Sequence, residues 1–326
     1  MGRHSIGQSG MKPIGGFFEL ETGAPRGAYH SDALALTNGR TCLHLLLQQT
    51  RPCKVHLPYY TCDSLVQPVV QAGIPHDFYA VDHNLEPVGI SVGEDECLVY
   101  VNYFGLRRAT VARLAQQYGS RLIVDNTQAF FEKGMPGVAS FNSARKFFGV
   151  PDGGYLYGGT GPAEAPPNAD VRCDHLIDRL LGRQSQAYAE YTAAEAAQGC
   201  DIQAMSVLSA QLLDSVDYAA AAQKRRSNYG VYRDRLGTLN QLACPMDPGA
   251  VPFCYPLLLK NPFPRERLFA QNIFVPTLWN EVQHRIPGGF AFEKQLAQNL
   301  LPLPLDQRYD ETDCLRVIDA VLAILE

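Results

Sequence analysis

Several common features are missing from this chain, and each absence excludes a class of protein. The 326 residues contain no run of about 18 consecutive apolar residues, so an integral membrane protein is excluded. Lys and Arg total 28 against 33 Asp and Glu, and without a basic excess a nucleic-acid partner is disfavoured. The nine cysteines form no C-x-x-C pair, which favours buried reduced thiols over disulfides or a metal site. Met1–Gly10 lacks the pattern of a secretory signal, so a cytoplasmic location is expected.

The content that is present predicts two domains around substantial cores, because 46% of the residues are hydrophobic and 10% are aromatic. After an irregular leader (1–34), residues 35–170 alternate helical and strand-like segments, which predicts an α/β large domain with a largely parallel sheet covered by helices on both faces. The predicted helices are Arg40–Gln49, Ser64–Ala72 and Ala109–Tyr118. The predicted strands are Lys54–Leu57, Asp77–Val81, Cys97–Phe104, Arg121–Val124, Val138–Phe141 and Tyr155–Tyr157.

The second half (171–326) has a different character and predicts a smaller α+β domain. A segment rich in Gly, Pro and Ala, Gly158–Asp170, is typical of a linker. The elements predicted after it are long helices in Cys173–Ala197 and Met205–Leu236, a strand Val251–Leu259, a helix Arg265–Gln271, a strand Phe274–Leu278 and a closing amphipathic helix Glu311–Leu325.

Polar segments adjoin the predicted strands and helices at four places, and a parallel sheet brings the carboxyl ends of its strands to one edge, where ligands bind. The first segment, Thr37–Thr41, precedes an apolar helix. Its free N–H groups and the helix dipole can hold a phosphate, although Asn38 is equally consistent with a plain N-cap. The second contains Asp125, at the end of a hydrophobic strand. A carboxylate there needs a cationic partner or several donors, so we expect it to face a ligand or to cap the next helix.

Lys146 lies in the third segment, after a polar turn and before two phenylalanines. A partly apolar pocket would lower the pKa of its amine towards the nucleophilic free base, although a lone lysine is also typical of a solvated surface. The fourth segment, Leu57–Asp63, supplies tyrosines that could cover a flat ring or pack in the core. Together the four segments predict a site for pyridoxal phosphate, which needs an amine for its aldehyde, an acid for its ring nitrogen and donors for its phosphate.

The same segments resemble the DegT/DnrJ-type nucleotide-sugar aminotransferases, and the resemblance covers most of the chain. It is carried by Asn38-Gly39-Arg40-Thr41, Leu57-Pro58-Tyr59-Tyr60-Thr61, Val101-Asn102-Tyr103-Phe104-Gly105, Val124-Asp125-Asn126-Thr127-Gln128, Ser140-Phe141 with Lys146 and Asp152-Gly153-Gly154, and Leu303-Pro304-Leu305. It implies the aspartate aminotransferase-like fold type I of pyridoxal-phosphate enzymes. That fold has a large domain with a mostly parallel sheet of the seven-stranded type, a smaller C-terminal α+β domain and a homodimeric assembly.

The resemblance also implies roles for single residues. Lys146 would form the Schiff base with the cofactor, Asp125 would partner the pyridinium nitrogen, and Gln128 would bond the ring oxygen beside the lysine. Cys62 stands where the family often has an aromatic ring on the cofactor, so that Tyr60 or Tyr103 would have to substitute.

The phosphate would be held at the start of the first helix, at Gly39, Arg40 and Thr41, with help from a serine. Either Ser140 or Ser143 has a suitable spacing from the lysine. Ile202 stands where the family donates an Asn to the phosphate site of the neighbouring subunit.

The function implied by the resemblance is transfer of an amino group from an amino acid such as glutamate to a keto sugar, expected to be nucleotide-linked, in amino-sugar or polysaccharide biosynthesis. Two alternatives stay open. One is another pyridoxal-phosphate enzyme, a lyase or dehydratase, although sugar dehydratases of this type tend to lack the lysine. The other is a non-catalytic binding protein on the same fold.

Overall fold

The computed structural model describes residues 20–243 and 245–326. Residues 1–19 of the predicted leader, including the segment on which the expected location depends, lie outside the described residues, as does Cys244. Residues 20–33 contain no helix or strand. Of the other eight cysteines, five are buried. No helix among the described residues is long and apolar enough to cross a membrane.

A mixed sheet of eight strands lies at the centre of the first half of the described chain. The strands are β1 (Leu34–Leu36), β2 (Lys54–Pro58), β3 (His76–Val81), β4 (Pro87–Val88), β5 (Glu96–Val101), β6 (Leu122–Asn126), β7 (Ala139–Asn142) and β8 (Gly154–Tyr157). Their order is β1-β8-β7-β6-β5-β2-β3-β4. The five strands from β7 to β3 are parallel, whereas β8, β1 and β4 pair antiparallel.

The predicted α/β class is confirmed, but the sheet has eight strands instead of seven. The edge strand β4 has only two residues, too few for a periodic signal in the sequence. The predicted strand Cys97–Phe104 is too long. It ends at Val101 because Tyr103–Gly105 turns into a 3-10 helix with Phe104 at a φ of 59°.

Three helices connect the parallel strands, close to the predicted bounds: α1 (Gly39–Thr50), α2 (Asp63–Gln71) and α3 (Arg108–Tyr118). Asn38 caps α1, because its Oδ1 accepts a hydrogen bond of 2.9 Å from the backbone N–H of Thr41. Seven consecutive residues, 41–47, are buried, so α1 lies deep against the sheet. Its first turn therefore sits firmly at the edge where the strands end.

The second half of the chain contains α4 (Asp174–Leu180), α5 (Gln184–Ala196), α6 (Val207–Asp214), α7 (Tyr218–Leu236), β9 (Tyr255–Leu258), α8 (Glu266–Phe269), α9 (Ala291–Asn299), β10 (Leu300–Leu303) and α10 (Glu311–Leu325). Strands β9 and β10 form a two-stranded antiparallel sheet. The closing helix has the predicted bounds, and a capping box of Asp310 and Asp313 fixes its start.

Two predictions for this half are wrong. Each predicted long helix is divided in two, the first at Gly182, whose φ of 78° ends a helix at little cost for glycine. Phe274–Leu278 forms no strand, and Pro276 has no N–H to donate to a ladder.

The second half is fastened to the β2–α2 turn by reciprocal hydrogen bonds. The Arg285 guanidinium donates to the Tyr59 carbonyl at 2.6 Å, and the Tyr59 hydroxyl donates to the Arg285 carbonyl at 2.6 Å. Glu281 accepts from the backbone N–H of Asp63 at 3.0 Å, which satisfies a free donor at the start of α2. The two halves therefore meet beside the edge where the parallel strands end.

A buried histidine stands in an aromatic core next to this edge. His30 is 2% exposed, and its ring lies among Phe130, Tyr155 and Tyr157. Its Nε2 lies 2.7 Å from the Phe130 carbonyl and its Nδ1 lies 2.7 Å from the Tyr157 hydroxyl. Because a carbonyl can only accept, Nε2 carries a proton. The low pKa of His30 leaves Nδ1 unprotonated near neutral pH, so Nδ1 accepts from the tyrosine hydroxyl and the imidazole is neutral. Burial lowers the pKa of His30 to about 4.

This burial predicts a loss of stability in mild acid. The unfolded chain protonates His30 below its ordinary pKa of 6.5, whereas the folded protein resists protonation down to about pH 4. The stabilisation is therefore complete above pH 6.5 and falls as the pH drops towards 4, by about 3 kcal/mol from this group. Urea unfolding across this range measures the slope, and His30→Gln should flatten it; equal slopes in both proteins would contradict the assignment.

Candidate active site

An acid, a hydroxyl and an amine meet at the carboxyl ends of β6 and β7. Asp125 is the fourth residue of β6, and Lys146 ends the 3-10 turn Ala144–Lys146 that follows β7. Thr127 lies between them. Lys146 Nζ donates to Thr127 Oγ1 at 3.0 Å, and the backbone N–H of Thr127 donates to Asp125 Oδ1 at 2.7 Å. The structure thus brings together the predicted acid and the predicted amine, joined by a residue that the sequence did not single out.

The surroundings of Asp125 shift the pKa of its carboxyl in opposite directions. Its side chain is 4% exposed, and this burial raises the pKa of the carboxyl. The positive charge of Lys146 and the hydrogen bonds from Thr127 lower that pKa but do not cancel the effect of burial, so it stays above the ordinary value. A buried carboxyl in this state gains free energy from any further cationic N–H partner.

The first turn of α1 adds open donors to this group. Asn38 already accepts the N–H of Thr41, whereas the N–H groups of Gly39 and Arg40 have no acceptor within the described residues. A Cβ on Gly39 would lie 3.1 Å from Thr127 Cγ2, so the turn packs directly against the Lys146–Thr127 pair. Two free N–H groups and the positive end of the helix dipole form an anion seat here. Of the three predicted donors, Gly39 and Arg40 are available and Thr41 is not.

The Arg40 side chain forms hydrogen bonds with two neighbouring segments. Its guanidinium donates to Gln198 Oε1 at 3.0 Å and to Ser64 Oγ at 2.6 Å, so it ties the start of α1 to α2 and to the chain after α5. The Thr41 hydroxyl donates to the Asp201 carbonyl at 3.2 Å. The segment that contains Ile202 therefore packs against the seat of its own chain.

The alternation of side chains along β7 separates the two candidate serines. Ser140 pairs with Val124, whereas Asp125 pairs with Phe141, so Ser140 and Asp125 lie on opposite faces of the sheet. Ser140 lines a cavity of about 240 Å³ on the far face. Ser143 continues the extended backbone with φ −140° and ψ 117°, which places it on the Phe141 face. The geometry favours Ser143 as the serine beside the anion seat.

The other predicted side chains, those of Tyr60, Tyr103 and Gln128, form hydrogen bonds with backbone groups of the protein. Tyr60 and Tyr103 are fully buried, and their hydroxyls donate at 2.8 Å to the carbonyls of Leu278 and Tyr60. Gln128 Oε1 accepts from the backbone N–H of Phe104 at 2.8 Å. Their predicted contacts with a cofactor stay predictions.

The thiol of Cys62 lies close enough to Lys146 and Asp125 to be affected by both charges. Burial raises the pKa of its thiol, while the charge of Lys146 lowers it and that of Asp125 raises it. From the sequence, Cys62 was singled out only as the residue that stands where the resembling family often has an aromatic ring.

A cavity of about 430 Å³ extends from Lys146 into the second half of the chain. Its wall carries arginines from three different elements and two aspartates: Arg179, Arg225, Arg308, Arg316, Asp306 and Asp313. Asp306 is paired with Arg308 through hydrogen bonds of 2.7 and 2.9 Å, whereas Arg179 is exposed. The cavity therefore joins the amine to a surface that can bind an anion.

The packing around the anion seat predicts that Gly154 cannot carry a side chain. A Cβ at this position would lie 2.6 Å from the backbone carbonyl carbon of Asn38, and the backbone of a helix start cannot give way easily. We expect Gly154→Ala to lower the free energy of unfolding by about 1–3 kcal/mol, as overpacking does. Urea denaturation measures this change. Gly149→Ala is the control, because open space surrounds that glycine; similar losses in both variants would contradict the argument.

Comparisons with known proteins establish the fold. No protein-family model and no curated protein sequence matches the chain. Among solved structures, it is similar to a DegT DnrJ EryC1 StrS aminotransferase from Brucella abortus (17% identity, TM-score 0.62, covering 89% of this chain and 85% of that one). It is also similar to the sugar aminotransferase CalS13 from Micromonospora echinospora (19%, 0.62, 89% and 87%) and to DesI in the presence of its TDP-sugar product (17%, 0.60, 88% and 79%). The chain has the fold type I architecture that its sequence predicted.

Proposed function

We propose that this chain is a pyridoxal-phosphate-dependent aminotransferase that transfers the amino group of an amino acid such as glutamate to a nucleotide-linked keto sugar. The observation that carries the proposal is the group formed by Lys146, Thr127 and Asp125 beside the open N–H groups of α1. The structurally similar sugar aminotransferases support the reaction class, since they share this fold.

The residues fit the cofactor at each of its three polar ends. Lys146 offers an amine for the aldehyde. Asp125 is a buried carboxyl with a raised pKa, which a protonated ring nitrogen would stabilise as the anion. The N–H groups of Gly39 and Arg40, with the hydroxyl of Ser143, would hold the phosphate.

When bound, pyridoxal phosphate supplies an aldehyde that can carry the amino group and a pyridine ring that withdraws electrons. Asp125 would hold the proton on the ring nitrogen. Thr127 accepts the hydrogen bond of Lys146 Nζ and so aims the amine along the edge of the sheet. Lys146 Nζ would take a proton from the substrate carbon and return it, as general base and acid.

The cavity wall supports an anionic substrate. Arg179, which is exposed, and Arg316 line the space of about 430 Å³ that begins at Lys146, and Arg308 lines it as the ion-pair partner of Asp306. Guanidinium groups pair well with phosphate oxygens, and a diphosphate would bring negative charge to this wall. DesI, which shares the fold, was solved with a TDP-sugar product. These facts support a sugar nucleotide as the amino acceptor.

The lysine assignment predicts a covalent adduct at one position. The purified wild-type protein with added pyridoxal phosphate should show a visible absorbance band, and borohydride should fix the cofactor to the peptide that contains Lys146. Lys146→Ala should lose both the adduct and transamination, because within the described part of the chain the amine that bonds to Thr127 is that of Lys146. Peptide mapping by mass spectrometry locates the label.

Lys133→Ala is the control, since this lysine is exposed and lies over the Tyr29 ring. Full transamination by Lys146→Ala would refute the assignment. Conversion of the bound cofactor to its amine form by glutamate separates an aminotransferase from a lyase or dehydratase, and a protein that binds no cofactor would favour the non-catalytic alternative.

We further propose that the chain forms a homodimer through the helical hairpin of α4 and α5. The hairpin exposes five large apolar side chains: Ile177, Leu180, Leu181, Tyr188 and Tyr191. Leu180 is 86% exposed and Tyr188 is 67% exposed, which is unusual for a surface without a partner. The hairpin also reaches the site, because Glu195 pairs with Arg145, the residue before the lysine. A partner on this surface would therefore border the active site.

Substitution on the hairpin tests the dimer. We expect Leu180→Asp combined with Tyr188→Asp to shift the protein from dimer to monomer in analytical ultracentrifugation, because the new charges would be buried without partners. Leu239→Asp introduces a charge at an exposed leucine outside the hairpin and serves as the control. A wild-type protein that sediments as a monomer and is fully active would contradict the proposal.

A further inference from the structure

Arg225 is a buried cation whose role the proposed reaction leaves unexplained. It lies on α7, is 1% exposed, and is the largest of the fully buried side chains. Asp306 acts on it electrostatically but forms its ion pair with Arg308. Burial lowers the pKa of its guanidinium to about 10. A charge in such a place costs free energy unless hydrogen bonds compensate for its burial.

One of those hydrogen bonds reaches Phe147, the residue next to Lys146. Arg225 Nη1 donates to the carbonyls of Pro252 and Phe253, each at 3.2 Å. Its Nη2 lies 3.4 Å from the Phe147 carbonyl, and its guanidinium carbon lies 4.4 Å from the centre of the Phe147 ring. The cation therefore contacts both the backbone and the ring of Phe147.

Gln307 completes the arrangement from the segment before α10. Its Nε2 donates to the same Phe147 carbonyl at 2.7 Å, and its Oε1 accepts from Arg225 Nε at 3.0 Å. Both ends of this one amide are thus in use. The planar amide of Gln307 therefore links the guanidinium of Arg225 to the Phe147 carbonyl.

The position of this carbonyl matters because Phe147 follows Lys146 directly. The start of the lysine turn is held to the large domain by the N–H of Ala144, which donates to the Gly153 carbonyl at 2.9 Å. Its far end is held by Arg225 and Gln307, which belong to the second half of the chain. Arg225 also lines the cavity that extends from the lysine.

We infer that Arg225 and Gln307 are positioning residues for Lys146: together they clamp the Phe147 carbonyl and so aim the amine at the cofactor. This inference rests on the proposed function, because it concerns the reach of Lys146 towards the bound aldehyde. Neither residue touches the reacting atoms. Through them the lysine is linked to the half of the chain that lines the substrate cavity.

Gln307→Glu is the sharpest test, because the new carboxylate can still accept from Arg225 but cannot donate to the Phe147 carbonyl. Arg225→Lys is the second variant; it keeps the charge but loses the planar fork. We expect each to weaken pyridoxal phosphate binding about tenfold, which corresponds to about 1.4 kcal/mol. We also expect each to shift the pH midpoint of the visible absorbance of the bound cofactor and to speed amide hydrogen exchange of residues 144–150 in the cofactor-free protein.

Arg226→Lys is the matched control. Arg226 is the next residue of α7 and donates to the carbonyls of Ala250 and Gly249 at 3.0 and 3.2 Å, in the same loop but away from Phe147. It should leave the binding constant, the pH midpoint and the exchange rates unchanged. Wild-type values of all three in Gln307→Glu would overturn the inference. If the wild-type protein forms no borohydride-stable adduct at Lys146, the proposed function fails instead, and the exchange rates still decide whether the clamp holds the turn.

Discussion

The placement of a carboxyl group at the end of a buried parallel strand is the constraint on which the site depends. Asp125 is almost without solvent, and neither the nearby Lys146 nor the hydrogen bonds from Thr127 fully offset the cost of its burial. A structure that served only stability would gain by replacing such an acid with an apolar residue of similar size. The acid is tolerable where a ligand brings a matching N–H, and the rest of the site is arranged around that need.

The sheet and the first helix meet this need with few special features. Because β6 and β7 are parallel, Asp125 and the lysine turn emerge at the same edge. Helix α1 brings its N-terminus to that edge, and Gly39 allows the close approach to Thr127. An amine, an acid and an anion seat are thus brought together by strand direction and by the missing side chain of Gly39.

Local patterns in the sequence predicted the elements that are periodic and the residues that end them. The helices α1, α2, α3 and α10 and the residues Asp125 and Lys146 could be found in this way, because each follows from spacing or from a polar residue after an apolar run. The choice between Ser140 and Ser143 could not, since it depends on the register that pairs Ser140 with Val124. Thr127 was missed because its neighbours Asp125 and Gln128 have side chains with more obvious chemistry.

The parts of the site that no local pattern could reveal are those that join distant positions. Gln307 reaches Phe147 across 160 positions of the chain, and Glu281 reaches Asp63 across 218. Each is an ordinary polar residue in its own segment, and its hydrogen-bond partner is known only once the packing of the two halves is known. The residues proposed to hold the cofactor all belong to the first half of the chain. The second half supplies the hydrogen bonds that hold the lysine turn and the start of α2. The orientation of the reacting groups therefore depends on the whole chain, although these groups lie in its first half.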